Sequence, residues 1–330
     1  MSEPVALSEF DLIRRFFSHV TGAREDVLLG VGDDAALLAV PPGQALAVSV
    51  DTLVSGVHFL PSVAPAALGH KSLAVNLSDL AAMGAEPAWA TLALTLPEAD
   101  ASWLQAFAEG FGALAVQYGV QLVGGDTTRG PLSVTVTVHG LVPAVSALRR
   151  SGARAGDRIY VTGCLGDAAL YLDALKTGCA VPGIESLRDR LERPMPRVEA
   201  GLALRGLAGG AIDISDGLLA DLGHILEASG VGARFDLDRI PLSAAATAWL
   251  AAGGDWATLV AGGDDYELCF TADPAKAPEI EAISRSLGLA MTPIGVIETA
   301  PGLRVTAPDG SLWQPARTGF DHFPPAGTPV

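Results

Sequence analysis

The chain has 330 residues and a formal net charge of −16, from 21 Lys and Arg against 37 Asp and Glu. That balance excludes a nucleic-acid binder, which needs a basic stripe. Apolar residues make up 49% and mean hydropathy is +0.37. Yet no uninterrupted apolar run reaches the roughly 18 residues of a membrane span, and the Ala- and Val-rich composition suits the core of a two-domain α/β protein.

The start, MSEPVALSEFD, is acidic and lacks the basic and apolar regions of a secretion signal. Cys164, Cys179 and Cys269 are widely spaced and form no CxxC pair, so neither a zinc site nor a disulfide framework is expected, and each reads as a small buried hydrophobe. A reducing, cytoplasmic location follows as the expectation. Ser8 to Val20 reads as an amphipathic helix capped by Ser8, with Phe10, Ile13, Phe17 and Val20 near one face. Short apolar runs follow at Val27–Val31 and Ala45–Val50. Pro65 to Gly84 reads as a helix stopped by Gly84, on which Asn76 and Asp79 share a face. Thr91–Leu96 reads as a strand, Ser102–Tyr118 as a helix, and Val120–Val123 and Leu132–Val138 as strands.

Pro143 to Asp157 breaks the pattern and is expected to join two domains, 1–142 and 143–330. Beyond it, strands are expected at Ile159–Val161, Ala211–Ile214, Ala233–Phe235, Leu268–Phe270 and Thr292–Val296. Helices are expected through Leu175 and at Arg197–Leu207, Gly217–Ser229 and Lys276–Leu287. The tail, PPAGTPV, reads as disordered.

Nine aspartates carry the chemistry. Asp33 and Asp34 (GVGDDAA), Asp51 (VSVDT), Asp79 (NLSDLAA), Asp126 (VGGDTT), Asp213 and Asp216 (DISDG), and Asp264 and Asp265 (GGDDYE) each lie at or just past the end of an apolar run. In α/β proteins such positions are where ligands bind. A single Gly-Asp pair is ordinary turn chemistry, but five such sites are more than turns require. Converging carboxylates repel by about 4 kcal/mol per pair at about 4 Å and an effective dielectric of about 20, so a cation must hold them. Oxygen donors without His or Cys select Mg²⁺, which usually accompanies phosphates. Phosphoryl transfer with more than one Mg²⁺ is the reading. Asp33 and Asp265 each have a neighbouring Asp able to do the chemistry, and read as structural.

Rival motifs fail. Gly30 to Ala35 matches GxGxxA, but two aspartates would face the pyrophosphate. There is no Walker A motif, no protein-kinase HRD or DFG set, no GxSxG and no HExxH, and the segment from Asp213 lacks an EF-hand's closing acid. Arg149-Arg150 is a candidate phosphate clamp against a solvated linker pair. Lys71 is open between a phosphate role and a surface role, the latter being commoner. His58, between Val57 and Phe59 just after Asp51, is a site candidate.

The motifs GVGDDAA, VDTLVSGVHF, KSLAVNLSDLAAMGA, GGDTTRG, RSGARAGD, DISDGL, GGDDYEL and GFDHF, in this order from about Ser8 to Phe323, resemble the thiamine-monophosphate kinase family. That family belongs to the superfamily of aminoimidazole ribonucleotide synthetase and selenophosphate synthetase. The resemblance implies a two-domain α/β (α+β) fold. In it an N-terminal domain binds ATP and Mg²⁺ and pairs its sheet across a homodimer, while a C-terminal α/β domain completes the cleft. It implies transfer of the ATP γ-phosphoryl group to thiamine monophosphate, with several Mg²⁺ ions. Carried over by motif, Asp34, Asp51, Asp79, Asp126, Asp213 and Asp216 look like metal ligands, with Ser49 and the backbone of Val50. Asp79, Asp126 and Asp216 are expected to be catalytic. Gly125, Asp126, Arg150 and Ser215 look like nucleotide contacts, and His58, Asp264 and Phe320 like thiamine-phosphate contacts. Asp264 stands where other members often have Glu, and Phe320 where they often have Tyr or Trp. Phe keeps a stacking face without a polar handle.

Two rivals carry different expectations. Selenophosphate synthetase needs a reactive Cys in an N-terminal glycine-rich loop, and none precedes Cys164. A non-catalytic metal or nucleotide sensor would need fewer aspartates than the six.

Overall fold

The structure, a computed structural model, describes residues 8–323. The acidic start before Ser8 and the PPAGTPV tail lie outside the described residues. Two compact units emerge, one formed by Met1–Leu80 and Ala85–Val145, the other by Ala81–Gly84 and Ser146–Val330.

The first unit opens as the Ser8 cap suggests, though the helix is not the one expected. Ser8 Oγ donates to Asp11 Oδ2 (2.6 Å) while Asp11 N–H donates to Ser8 Oγ (3.3 Å), a reciprocal cap on α1 (Glu9–Leu12). The chain then widens into a π-helix at Ile13–Phe17, where Ser18 N–H donates to Ile13 O five residues back. This shift of register buries Leu12, Phe16 and Phe17 and leaves Phe10 69% exposed, so the expected face is corrected. Strands β1 (Val27–Leu29) and β2 (Leu37–Leu38) form a small antiparallel ribbon.

The main sheet of this unit runs β3-β6-β4-β5, built from β3 (Gln44–Val54), β4 (Glu86–Leu96), β5 (Gln121–Arg129) and β6 (Ser133–Pro143). All four strands are longer than their apolar cores suggest, because in-register neighbours continue the ladder through polar residues. Asp51 and Asp126 therefore lie inside strands rather than past their ends. Helix α3 (Ala101–Gln117) and helix α2 (Pro65–Ala82) as far as Leu80 belong to the same unit. A Cβ at Gly69 would stand 2.1 Å from Phe107 O, and one at Gly110 1.9 Å from Ala66 O, so only glycine lets the two helix backbones touch. Gly84, at φ +59, closes α2, with Ala85 N–H donating to Leu80 O. Val134, Val136, Val138, Leu92 and Leu94 fill the covered face of the sheet. On the opposite face of β3, Leu46, Val48 and Val50 are 43%, 56% and 57% exposed.

The second unit holds a seven-stranded sheet ordered β13-β12-β9-β11-β7-β10-β8. Its strands are β7 (Arg158–Thr162), β8 (Ala211–Asp213), β9 (Gly232–Asp236), β10 (Leu268–Ala272), β11 (Met291–Glu298), β12 (Gly302–Thr306) and β13 (Leu312–Trp313). All pairings are antiparallel except β12 with β9, so the architecture is α+β and not a parallel doubly wound sheet. The helices are α4 (Asp167–Thr177), α5 (Arg188–Glu192), α6 (Val198–Ala203), α7 (Leu218–Ser229), α8 (Ala244–Ala251), α9 (Trp256–Val260) and α10 (Ala277–Leu287). The helix expected over Arg197–Leu207 is shorter. Leu165, Leu170, Ile212, Ile214, Leu222, Ile225 and Phe235 lie in one apolar core. Among the cysteines, Cys269 is buried as expected and Cys179 is exposed, correcting that reading.

Candidate active site

In the first unit the acidic residues meet where β3 faces α2. Ser49 and Asp51, two apart on the strand, lie on the covered face. Asn76 and Asp79, three apart on the helix, meet them. Ser49 Oγ donates to Asp79 Oδ2 (2.5 Å), and Asp51 N–H donates to Asn76 Oδ1 (3.1 Å). Asn76 is buried and anchors its amide on Ser72 O. Val50 alternates to the open face, so only its backbone can serve here. His58 folds back on the end of β3: its Nδ1 accepts the Val54 N–H at 3.0 Å, which places the proton of the neutral ring on Nε2. Asp33 Oδ1 accepts the Asp34 N–H (2.8 Å), a local turn bond in keeping with a structural role, while Asp34 is exposed. Lys71 is 2% exposed, correcting the surface reading.

Asp126 is exposed on β5, aligned with Ala93. Its neighbour Gly125 has φ +153, and a Cβ there would lie 1.9 Å from Leu92 O, so the approach to Asp126 requires glycine. The strands β3 and β5 are the two edges of the sheet. Three strand spacings separate them, about 14 Å. Asp51 and Asp126 therefore stand on opposite edges of the sheet. Among the described residues no three His, Cys, Asp or Glu side chains gather at metal-binding range.

In the second unit two loops zip together. Asp213 ends β8 and is 5% exposed. Beyond it, Ile214 N–H donates to Glu267 O, Tyr266 N–H to Ile214 O and Asp264 N–H to Ser215 O, each at 2.8 Å. Asp264 and Tyr266 take left-handed backbone conformations, φ +71 and +48, rare for non-glycine residues. Tyr266 Oη donates to Asp264 Oδ1 at 2.9 Å and so orients the carboxylate. Phe320 N–H donates to Asp216 O at 3.0 Å. The Phe320 ring, 42% exposed, meets the His322 ring edge to face with centroids 4.8 Å apart. Burial raises the Asp216 carboxyl above its ordinary range; His322 and His224 pull it down, and Asp264 and Asp321 add to the rise. Arg150 is exposed, and its backbone oxygen accepts from Ser229 Oγ (3.3 Å).

Sequence reasoning missed two buried carboxylates here. Asp221, 2% exposed on the first turn of α7, accepts the N–H groups of Ser215, Asp216 and Gly217 on one oxygen, each at 3.1 Å. Burial, then the Asp216 charge, push its carboxyl up to about 7. Glu267 is fully buried and receives Thr162 Oγ1 (2.6 Å), Arg190 Nη2 (2.8 Å) and Arg197 through Nε (2.7 Å) and Nη2 (2.5 Å). The signal for Asp221 was its i+5 spacing from Asp216. For Glu267 it was its place in GGDDYE. Asp265 is buried and takes the Gly166 N–H on both oxygens (2.9 and 3.0 Å) at the start of α4, the structural role expected of it.

Comparison with known proteins agrees with this architecture. Residues 32–142 match the family described as AIR synthase related protein, N-terminal domain, and residues 154–308 match its C-terminal domain. Thiamine-monophosphate kinase of Salmonella typhimurium is 50% identical over 326 residues, which are 97% of this chain and 99% of the relative. The chain belongs to the thiamine-monophosphate kinase family. The kinase of Escherichia coli K12 is 49% identical over 97% of this chain and 99% of its own. The crystal structure of thiamine-monophosphate kinase from Stenotrophomonas maltophilia K279a superimposes with TM-score 0.82 at 51% identity, covering 87% of this chain and 92% of that one. AaThiL complexed with AMPPCP and TMP does so with TM-score 0.74 at 32% identity, over 89% and 92%. The E. coli hydrogenase maturation protein HypE, at 20% identity and TM-score 0.76 over 97% and 99%, shares the fold.

The donors of this thiamine-monophosphate kinase family member fit a hard cation. The meeting point of β3 and α2 offers Ser49 Oγ and the carboxylates of Asp51 and Asp79, with neither sulfur nor imidazole among them. The Asp216 carboxyl, raised chiefly by burial, stands near Asp264 and Asp321, and a cation bound there would favour its ionised form.

Proposed function

We propose that the protein transfers the γ-phosphoryl group of ATP to the phosphate of thiamine monophosphate, giving thiamine diphosphate and ADP, the last step in making the diphosphate. One observation carries this reading beyond family membership. The Phe320 amide is bonded to the Asp216 carbonyl, which sets an exposed aromatic ring beside the acidic loop. A phosphate-handling group and a face for a flat heterocycle are thereby held in one unit.

An oxygen of the acceptor phosphate attacks the γ-phosphorus in line, the bond to the β-phosphate oxygen breaks, and ADP leaves with that oxygen. The acceptor is already ionised, so no general base is required. The chain's part is alignment. Phe320 and His58 would hold the thiamine end, Tyr266-oriented Asp264 would meet its polar edge, and Gly125, Arg150 and Ser215 would contact the nucleotide phosphates. Asp34, Ser49, the Val50 backbone, Asp51, Asp79, Asp126, Asp213 and Asp216 would hold Mg²⁺. Bound there, Mg²⁺ supplies neutralisation of the charge on the transferring phosphoryl group. The roughly 14 Å between the β3 and β5 edges favours separate ions over one cage. Among the described residues none is placed as an activated nucleophile, which favours direct transfer with inversion at phosphorus. The exposed Val48 and Val50 face of β3 supports a homodimer joined through this sheet. A cytoplasmic location goes with the substrates.

Chromatography of reaction products tests the proposal. With ATP and Mg²⁺, thiamine monophosphate should become thiamine diphosphate, and free thiamine should be left unconverted because it offers no phosphate nucleophile. Folded protein that makes no thiamine diphosphate at saturating Mg-ATP refutes it.

A further inference from the structure

The turn Ser215-Asp216-Gly217 turns its three N–H groups toward α7 and the carbonyls of Ser215 and Asp216 the other way, while the Gly217 carbonyl accepts the Asp221 N–H (3.0 Å). All three N–H groups converge on a single oxygen of Asp221, 3.1 Å each. Consecutive N–H groups closing on one acceptor form a nest, an arrangement that binds anions such as phosphate. Here the anion is supplied by the chain itself, from the first turn of α7, and is sealed from solvent. On the far side of the turn, Ser215 O takes the Asp264 N–H (2.8 Å) and Asp216 O takes the Phe320 N–H (3.0 Å). Gly217 closes the arrangement: at φ +118, a Cβ there would be 2.9 Å from the Ala261 carbonyl carbon. Rotation of these peptides would therefore move the Asp216 carboxylate, Asp264 and Phe320 together.

We propose that Asp221 is a positioning residue that fixes this turn, and that through it the metal side (Asp216) and the acceptor side (Asp264 and Phe320) of the site are held as one body. The roles of those three residues rest on the function proposed above. Asp221 itself touches no substrate. Its three bonds replace the water that would otherwise solvate three amides, and losing them leaves three donors unsatisfied in a water-poor place.

Asp221→Ala and Asp221→Asn in the full chain test this, with Phe320→Ala as a control that keeps its backbone bond. The first readout is amide hydrogen exchange without metal or nucleotide. In Asp221→Ala, the amides of 215–217 and of Phe320 should exchange on the order of tenfold or more faster, the scale of losing hydrogen bonds to a buried acceptor. Asp221→Asn keeps an acceptor oxygen and should stay nearer the wild type. The second readout is kinetic. Asp221→Ala should raise both the half-saturating Mg²⁺ concentration and the KM for thiamine monophosphate by about tenfold, whereas Phe320→Ala should raise only the latter. A merely structural role would lower the melting temperature and the active fraction and leave both constants unchanged. That result, unchanged exchange at 215–217, or a shift in one constant alone, overturns the proposal. If Asp221→Ala does not fold, Asp221→Ser, whose hydroxyl is too short to reach all three amides, takes its place: faster exchange at 215–217 with both constants raised upholds the proposal, and wild-type exchange with both constants unchanged overturns it. A wild-type protein that makes no thiamine diphosphate would defeat the proposed function, and the exchange experiment would still judge the positioning role.

Discussion

Glu267→Gln is expected to weaken the second unit far more than a single-atom change suggests. The carboxylate is fully buried and takes four hydrogen bonds, three of them from guanidinium groups. Removing one partner of a buried pair costs about 3–5 kcal/mol, because the remaining charges stay desolvated. Two features move the value to the low end. Gln keeps one acceptor oxygen, and the Arg190 and Arg197 side chains are 22% and 20% exposed, so water reaches them. A loss of about 3 kcal/mol follows. In a unit of roughly 190 residues this lowers the melting temperature by about 6–12 °C. Differential scanning calorimetry reads it directly. A double-mutant cycle with Arg197→Ala should give a coupling of about 2 kcal/mol or more. A loss below about 1 kcal/mol, or additive effects of the two changes, refutes the reasoning that the buried Glu267 carboxylate depends on these guanidinium groups.

Other expectations follow from the same structure. Asp79→Asn should lower the rate on the order of 10³-fold, the scale of losing a charge-neutralising group in phosphoryl transfer, whereas Asp265→Asn, whose carboxylate serves Gly166, should lose less than about tenfold; equal activity of the two folded variants would show that the metal ligands are misassigned. His139 is held below its ordinary value by burial, against the pull of a Trp89 backbone bond. The folded chain then binds fewer protons than the unfolded chain, so this stability is complete above about pH 6.5 and is lost as pH falls toward the folded value. His139→Gln should flatten the decline of melting temperature between about pH 7.5 and 5.5, and identical slopes would contradict this. Mg-ATP at about 100 times its Kd should add roughly 2.7 kcal/mol, a few degrees of melting temperature, while ATP with EDTA should add little; equal shifts would mean that the acidic residues do not hold the nucleotide through metal.

Much of this architecture can be read from local pattern. The Ser8 cap, the α2 helix and its Gly84 stop, and the three-residue spacing that brings Asn76 and Asp79 onto one face depend on near neighbours in the chain. That Asp265 is structural was legible from the second Asp beside it, though its partner, the Gly166 N–H, was not. What escaped depends on distant partners. The π-turn at Ile13–Phe17 changes which phenylalanine is buried without changing the apolar count. β3 and β5 extend through polar residues because β6 and β4 supply the ladder, and this places Asp51 and Asp126 within strands on opposite edges. Asp221 on α7 looks like one more solvated acid until the DISDG turn folds its amides onto it. Glu267 needs Arg190 and Arg197, some seventy residues away in sequence, before it can be buried. Lys71 is concealed for the same reason: nothing in its local sequence tells of the packing around α2.

The central claim is direct transfer from ATP to a phosphate acceptor, and the fate of a labelled γ-phosphate tests it most directly. With thiamine monophosphate and Mg²⁺, the label should appear in the terminal phosphate of thiamine diphosphate, one for each ADP formed. Label released as inorganic phosphate without diphosphate formation, or thiamine diphosphate formed together with AMP, would contradict it.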